Sequence, residues 1–207
     1  MDYAEFLELA RDRRSVRRFQ PLPVSEEDLD RLLEAARWAP SNHNRQGWLF
    51  VVFTDAQEIR SMARRAGAAL REKLARAALP GGEAAADLQE NATFFGEAPA
   101  LVLVLHRRPT ALSGALMAGD PARGLIAGEP LSAAMAVQNL LLAAHALGLG
   151  ACVMTAPLMV WDSLSSGLDL PPGHEPTCLV ALGHPAEAPP APRRKRIDQV
   201  SQFRRGT

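Results

Sequence analysis

The chain has 207 residues, and its 23 Lys plus Arg are balanced by 23 Asp plus Glu. That length suits one domain, read here as a single domain over residues 1–207 that can bury its core without disulfides or metal. A neutral chain supplies no long-range positive field, which argues against a nucleic-acid or membrane-surface partner, so any anion site must be local.

The N-terminal segment lacks the charged start, apolar run and small-residue cleavage site of a secretory signal, so the expected location is the cytoplasm. There, "YAEFLELARDR" sets Phe6, Leu9 and Ala10 on one helical face and gives way at Ser15 to an extended stretch ending at Pro23. A helix therefore delivers the cluster "RRSVRRF", which holds four arginines and a serine. In "SEEDLDRLLEAARWAP", Ser25 stands three residues ahead of Asp28, as in a capping box. Leu29, Leu32, Leu33 and Ala36 form its stripe, and the helix stops before Pro40.

Three continuous apolar runs, "WLFVVFT", "ALVLVL" at 100–105 and "TCLVALG" at 177–183, predict strands covered on both faces. Residues 56–79 predict a cationic amphipathic helix, and "LPGGEAAAD" after it a turn or flexible insertion. Residues 106–130 carry several Gly and Pro without a steady period and read as an irregular, lid-like connection. Residues 131–150 are apolar nearly all round, as in a helix buried in a core or an oligomer interface. Gln138, Asn139 and His145 interrupt the run, so it is not a membrane span. In "ALGLGAC" we read a helix end with glycines. A proline-rich C-terminal arm over about 184–207 contains Arg193, Arg194, Lys195 and Arg196 in succession.

No GxxxxGK loop, GxGxxG turn or GxSxG elbow is present, so nucleotide hydrolysis, dinucleotide-fold dehydrogenation and serine hydrolysis lose their usual signatures. The five histidines lack metal-ligand spacing, and no metal is expected. Cys152 and Cys178 are too far apart for a CxxC motif and read as buried thiols in a reducing compartment. Taken alone, each basic cluster reads as a solvated charge run. A third segment, "APSNHNRQGW", shifts that reading. It is a polar turn between a helix and a strand whose amides and hydroxyls suit a heterocycle, while arginine forks and a serine hydroxyl suit a phosphate.

Four stretches in this order, "RRSVRRF", "LLEAARWAPSNHNRQGW", "AAMAVQNLLLAAHALGLGACVMTAP" and "LVALGHPAEAPPAPRRKR", resemble the FMN-dependent nitroreductase family over essentially the whole chain. The resemblance implies an α+β, three-layer fold with a mostly antiparallel central sheet flanked by helices. It further implies an intertwined homodimer with two FMN sites at its interface. It assigns Arg13, Arg14, Ser15 and Arg17 to the flavin, with Arg13 on the phosphate and Arg17 near the flavin N1 and C2 carbonyl. Pro40, Ser41, Asn42 and Asn44 match the turn that reaches the flavin from the partner subunit, and Thr155 and Ala156 the segment facing flavin N5. Asn91 matches an asparagine on the pyrimidine edge, and Arg194 and Arg196 match the phosphate partners of the C-terminal arm.

The implied activity is ping-pong hydride transfer from NADH or NADPH to a small-molecule electron acceptor such as a nitroaromatic or quinone, with the cofactor carrying the chemistry. Sister reactions (alkene reduction, dehalogenation, azoline oxidation, flavin fragmentation) and a non-enzymatic FMN-binding storage or sensing role stay open. "QGW" in place of the family's "QPW", and Val153 where an aromatic is frequent, mark a differently shaped surround.

Overall fold

Side chains alternate across the four strands and divide the core into two halves. The computed structural model describes residues 2–77, 82–108, 115 and 128–204. Strands β1 (Trp48–Phe53), β2 (Ala100–Arg107), β3 (Gly150–Met154) and β4 (His174–Gly183) form one sheet in the order β1-β2-β4-β3. All three pairings are antiparallel. On one face, Val102, Val104 and Val180 pack with α2 (Glu26–Arg37) and α5 (Gly128–Ala146). On the other, Leu101, Leu103 and Leu179 pack with α3 (Ala56–Arg76) and α6 (Trp161–Ser165). The result is a three-layer α+β fold. Because both faces of β2 are covered, every one of its residues but Arg107 is buried, and its sequence is continuously apolar although its neighbours run antiparallel.

The N-terminal helix α1 (Tyr3–Asp12) is fixed by a capping box in which Glu5 N donates to Asp2 Oδ1 at 2.9 Å and Asp2 N to Glu5 Oε2 at 2.7 Å. It buries no residue, so its apolar face stays at the surface. Helix α2 starts where Asp28 N donates to Ser25 Oγ at 3.1 Å, and its last turn receives a bond from Asn139 Nδ2 to Ala35 O at 3.1 Å.

Three sequence expectations are corrected. The stretch read as a flexible insertion contains helix α4 (Glu83–Thr93), whose alanines are good helix formers and which packs on α3 through Ala92. In "ALGLGAC" the helix does end, at Ala146 with Gly148 at φ 73°, but the last three residues of that stretch open strand β3, a five-residue run too short and too glycine-flanked to announce itself by period. The lid-like segment is narrower than 106–130, because residues 106 and 107 finish β2 and residues 128–130 open α5. Pro130 fits there because the first-turn N–H groups of a helix have no intrahelical acceptor. Residues 109–114 and 116–127 of that expectation lie outside the described residues.

A bulge interrupts β2 and β4 between Val104 and Leu105, opposite Pro176, which cannot donate to a ladder. The extra residue, Thr177, turns its Oγ1 to His106 Nδ1 at 2.9 Å.

Candidate functional site

After α1 the chain leaves the helix at Arg13 and runs extended along the free edge of β3. Ser15 forms a parallel bridge with Ala151, and Val16 N donates to Ala151 O at 3.1 Å. Val16 is buried against Gly150, where an added Cβ would stand 2.7 Å from Val16 Cγ1. At Gly183, the register partner of Gly150, a Cβ would stand 2.5 Å from Pro99 Cγ and 3.0 Å from Phe19 Cδ1, so Pro99 and Phe19 both crowd that position. The close approach of the segment to the sheet therefore requires these glycines.

Extended chain turns alternate side chains to opposite sides. Arg13, Ser15 and Arg17 all act electrostatically on the buried thiol of Cys152. Burial pushes that thiol's pKa up, Arg17, the Ser15 hydroxyl and Arg13 pull it down, and the net direction is upward. Burial thus favours the protonated thiol of Cys152 over the thiolate. Arg14 faces elsewhere: its guanidinium donates to the carbonyls of Arg11 and Arg13, the latter at 2.9 Å, and it lines a cleft of about 410 Å³ with Val16 and His145. It caps the end of α1.

A second cleft, of about 520 Å³, brings Arg17 and Asn91 together, with Phe19, Phe94 and Glu187 in its walls. Arg18, to which the family resemblance assigns no role, lines it too. The carboxylate of Glu187 accepts from two successive backbone amides, Arg17 N at 2.7 Å and Arg18 N at 3.2 Å. Further bonds, Gln20 N to His184 O at 2.8 Å and Ala186 N to Arg18 O at 3.0 Å, tie the arginine segment to the chain leaving β4. Thr155 and Ala156 follow directly on β3, where Leu158 N donates to Thr155 O at 2.9 Å and Ala156 packs on the α3 side of the core.

The turn at residues 41–46 sits elsewhere. His43, Asn44 and Gln46 all have φ near +50° (50°, 53° and 48°). Asn and His accept that region more readily than most residues, whereas Gln46 stores about 1 kcal/mol or more of strain. The conformation is over-determined by Gln46 N donating to Ser41 Oγ at 2.9 Å, Gln46 Nε2 to Asn44 Oδ1 at 3.1 Å and Asn42 N to Ser132 Oγ at 3.1 Å. Ser132 Oγ in turn donates to Gly128 O at 2.6 Å, and Arg45 lies 3.6 Å from the buried Glu129. Pro40, Asn42 and Asn44 are exposed on this rigid turn, with Ser41 half-buried.

The turn is therefore anchored on the first turn of α5, while Arg14 and Val16 meet its last turn at His145. At 1.5 Å per residue, Ser132 and His145 are roughly 20 Å apart along the helix. Among the described residues, neither cleft beside the arginine segment holds a residue of the polar turn.

Through Pro189 the C-terminal arm lines the two clefts beside the arginine segment, but its basic run, Arg193 to Arg196, lines neither among the described residues. Residues 190–204 are exposed, including the large apolar side chains of Ile197, Val200 and Phe203, each 66–77% exposed. Arg196 bonds Asp198 at 3.0 and 3.2 Å, whereas Arg194 has no partner among the described residues.

Glu187, Ser132 and Glu129 went unnoticed in the sequence. Glu187 sits in a proline-rich arm where nothing but its acidity stands out. The sole signal for the other two is that they are polar residues at the start of an apolar helix.

The residue pattern of the Nitroreductase family matches residues 10–184. The chain is a member of the nitroreductase family. Within that family it is 30% identical to an iodotyrosine deiodinase from Haliscomenobacter hydrossis over 96% of this chain and 87% of the other. A relative from Archaeoglobus fulgidus is 37% identical, but the match spans 28% of this chain and 34% of that protein. Among solved structures, a BluB-like flavoprotein from Clostridium difficile 630 shares the fold with a TM-score of 0.80 at 24% identity, covering 99% of this chain and 100% of that one. An iodotyrosine deiodinase bound to FMN and 3-iodo-L-tyrosine aligns with a TM-score of 0.71 at 26% identity, over 95% of this chain and 99% of that one. No helix among the described residues is long and apolar enough to cross a membrane.

Proposed function

We propose that this nitroreductase-family protein is an FMN-dependent oxidoreductase that works as a cytoplasmic homodimer, by a ping-pong mechanism with NADH or NADPH as donor and a nitroaromatic, quinone or similar small molecule as acceptor. The observation that carries the reading is the cleft in which Arg17 and Asn91 meet. Its volume of about 520 Å³ lies in the range of cofactor sites, and its polar groups are few and of the right kinds. When bound, the flavin supplies the two-electron redox chemistry. Arg17 provides a fixed cation and Asn91 an amide able both to donate and to accept along a pyrimidine edge. Arg13, together with Arg194 and Arg196 of the arm, holds the phosphate, with Ser15 an additional donor. Arg14, turned to the end of α1, serves the site by fixing the segment that carries its neighbours.

Pro40, Ser41, Asn42 and Asn44 come from the second copy. Three features support that assembly: the roughly 20 Å between turn and arginines, the exposed arm, and the apolar outer face of α5. On that face Leu131 and Met135 are 59% and 40% exposed, an apolar stripe of the kind that interfaces cover. The preference of Cys152 for its protonated form fits a site in which no side chain acts as nucleophile. Thr155 and Ala156, at the end of β3, border the reacting face.

A second reading, reductive dehalogenation, is favoured by the 30% identity to a deiodinase. Purified protein should retain or take up FMN, and its flavin absorbance should bleach on anaerobic mixing with NADH or NADPH and recover on adding a quinone, a nitroaromatic or 3-iodo-L-tyrosine. Protein that binds FMN but is reduced by neither nicotinamide is a storage or sensing module instead, and protein that binds no FMN refutes both readings.

A further inference from the structure

Helices α2 and α3 treat their exposed arginines in two ways. Arg31, Arg37 and Arg76 each pair with a glutamate three or four residues earlier, namely Glu27, Glu34 and Glu72. Arg60, Arg64 and Arg71 have no carboxylate within ion-pair distance among the described residues, and all three line one cleft of about 620 Å³ between α3 and α4. Spaced by four and seven residues, they stand within about 40° of one another around α3. Arg71 folds back along the helix: its Nη1 would lie 3.6 Å from a Cβ at Gly67, so the guanidinium lies over that glycine, toward Arg64. The floor is made of small residues, Ala63, Gly67 and Gly96, and Gln89 and Thr93 of α4 line the opposite side. A single acid, Glu97, lines this cleft and also the neighbouring one that holds Arg17 and Asn91.

Three like charges gathered in a cleft that Glu97 only partly offsets repel one another, and a guanidinium fork matches phosphate oxygens two at a time. We propose that this cleft is a binding site for two adjoining phosphate groups, taken by Arg60, Arg64 and Arg71, in a ligand whose uncharged part lies over the small-residue floor. Diphosphate fits better than a single phosphate because the arginines are strung along the helix and Glu97 limits the cationic part to their side. The ligand is either the diphosphate of the nicotinamide donor, entering beside the flavin cleft, or a separate phosphorylated molecule. The first source rests on the function proposed above and the second does not.

The experiment is calorimetric titration of inorganic pyrophosphate into FMN-saturated protein, so that the arginines assigned to flavin are occupied, with flavin absorbance recording that saturation independently. Binding should be measurable at low ionic strength and weaken with salt. The double variant Arg64→Gln/Arg71→Gln, whose side chains are exposed and whose melting should match the parent, should bind pyrophosphate at least about tenfold more weakly. Glu97→Gln should bind it severalfold more tightly. A higher KM for NADH or NADPH at unchanged kcat in the double variant assigns the phosphates to the donor. An unchanged KM with weakened pyrophosphate binding assigns them to a separate ligand. No binding at low ionic strength, or equal binding by parent and double variant, overturns the proposal.

Discussion

Chains carrying Arg13→Gln with Arg17→Gln, mixed with chains carrying Ser41→Ala, Asn42→Ala and Asn44→Ala, should recover FMN binding that neither set shows alone. The reasoning starts from α5, which separates the anchor of the turn at Ser132 from the arginine segment at His145 by roughly 20 Å. Removing two charge-assisted contacts at about 1.5–3 kcal/mol each weakens binding by 100-fold or more. Loss of three neutral contacts at about 0.5–1.5 kcal/mol each does the same within an order of magnitude. In a two-fold dimer whose sites draw the arginines from one chain and the turn from the other, each mixed dimer has one site with every defect and one with none. Random exchange makes about half of the dimers mixed, so about a quarter of all sites should fill at a concentration that leaves either parent set empty. Equilibrium dialysis with flavin absorbance, on differently tagged chains expressed together and on each set alone, measures this directly. If the mixture binds no more FMN than its components, the two motifs do not meet across chains and the dimeric site is wrong.

Gly150→Val places a Cβ 2.7 Å from Val16 Cγ1, so urea denaturation should show a loss of about 1–3 kcal/mol together with weaker FMN binding; unchanged values would mean the segment can shift freely. Leu131→Glu with Met135→Glu, on the exposed face of α5, should convert a sedimenting dimer into a folded monomer with no FMN, and a surviving dimer would place the interface elsewhere. Burial lowers the pKa of His106 below its usual 6.5 despite the opposing fields of Glu175 and Glu129. The unfolded chain therefore binds more protons as pH falls through 6.5, and stability should drop there, fading once the folded imidazole also titrates. In His106→Gln that part of the slope in melting temperature against pH should disappear; identical slopes would show that another group governs it.

The elements that show in the sequence are those with a strong period or a long apolar run. Helix α2 shows its cap at Ser25 and its stripe of Leu29, Leu32 and Ala36, and β2 its unbroken valines and leucines. Strand β3 does not, because it owes its conformation to pairing with β4 and to a segment more than 130 residues earlier. Of the site, residue types were legible but partnership was not. Arg13, Ser15 and Arg17 share a side because the chain there is extended, and Arg14 is turned away by the same alternation. Asn91 reaches Arg17 only through the packing of α4, and Glu187 only through two backbone amides, neither of which leaves a local signature.

The extended segment that lies along β3 also has a bearing on aggregation. An unpaired sheet edge is a template for other chains, and here its cover is the stretch that carries the arginines, seated through Val16 and latched by Glu187. Attempts to reshape the pocket by loosening residues 13–19 should therefore lower solubility before they broaden substrate range. Changes introduced from the α4 side, at Phe94 or Asn91, leave that cover in place and are the safer route for redesign.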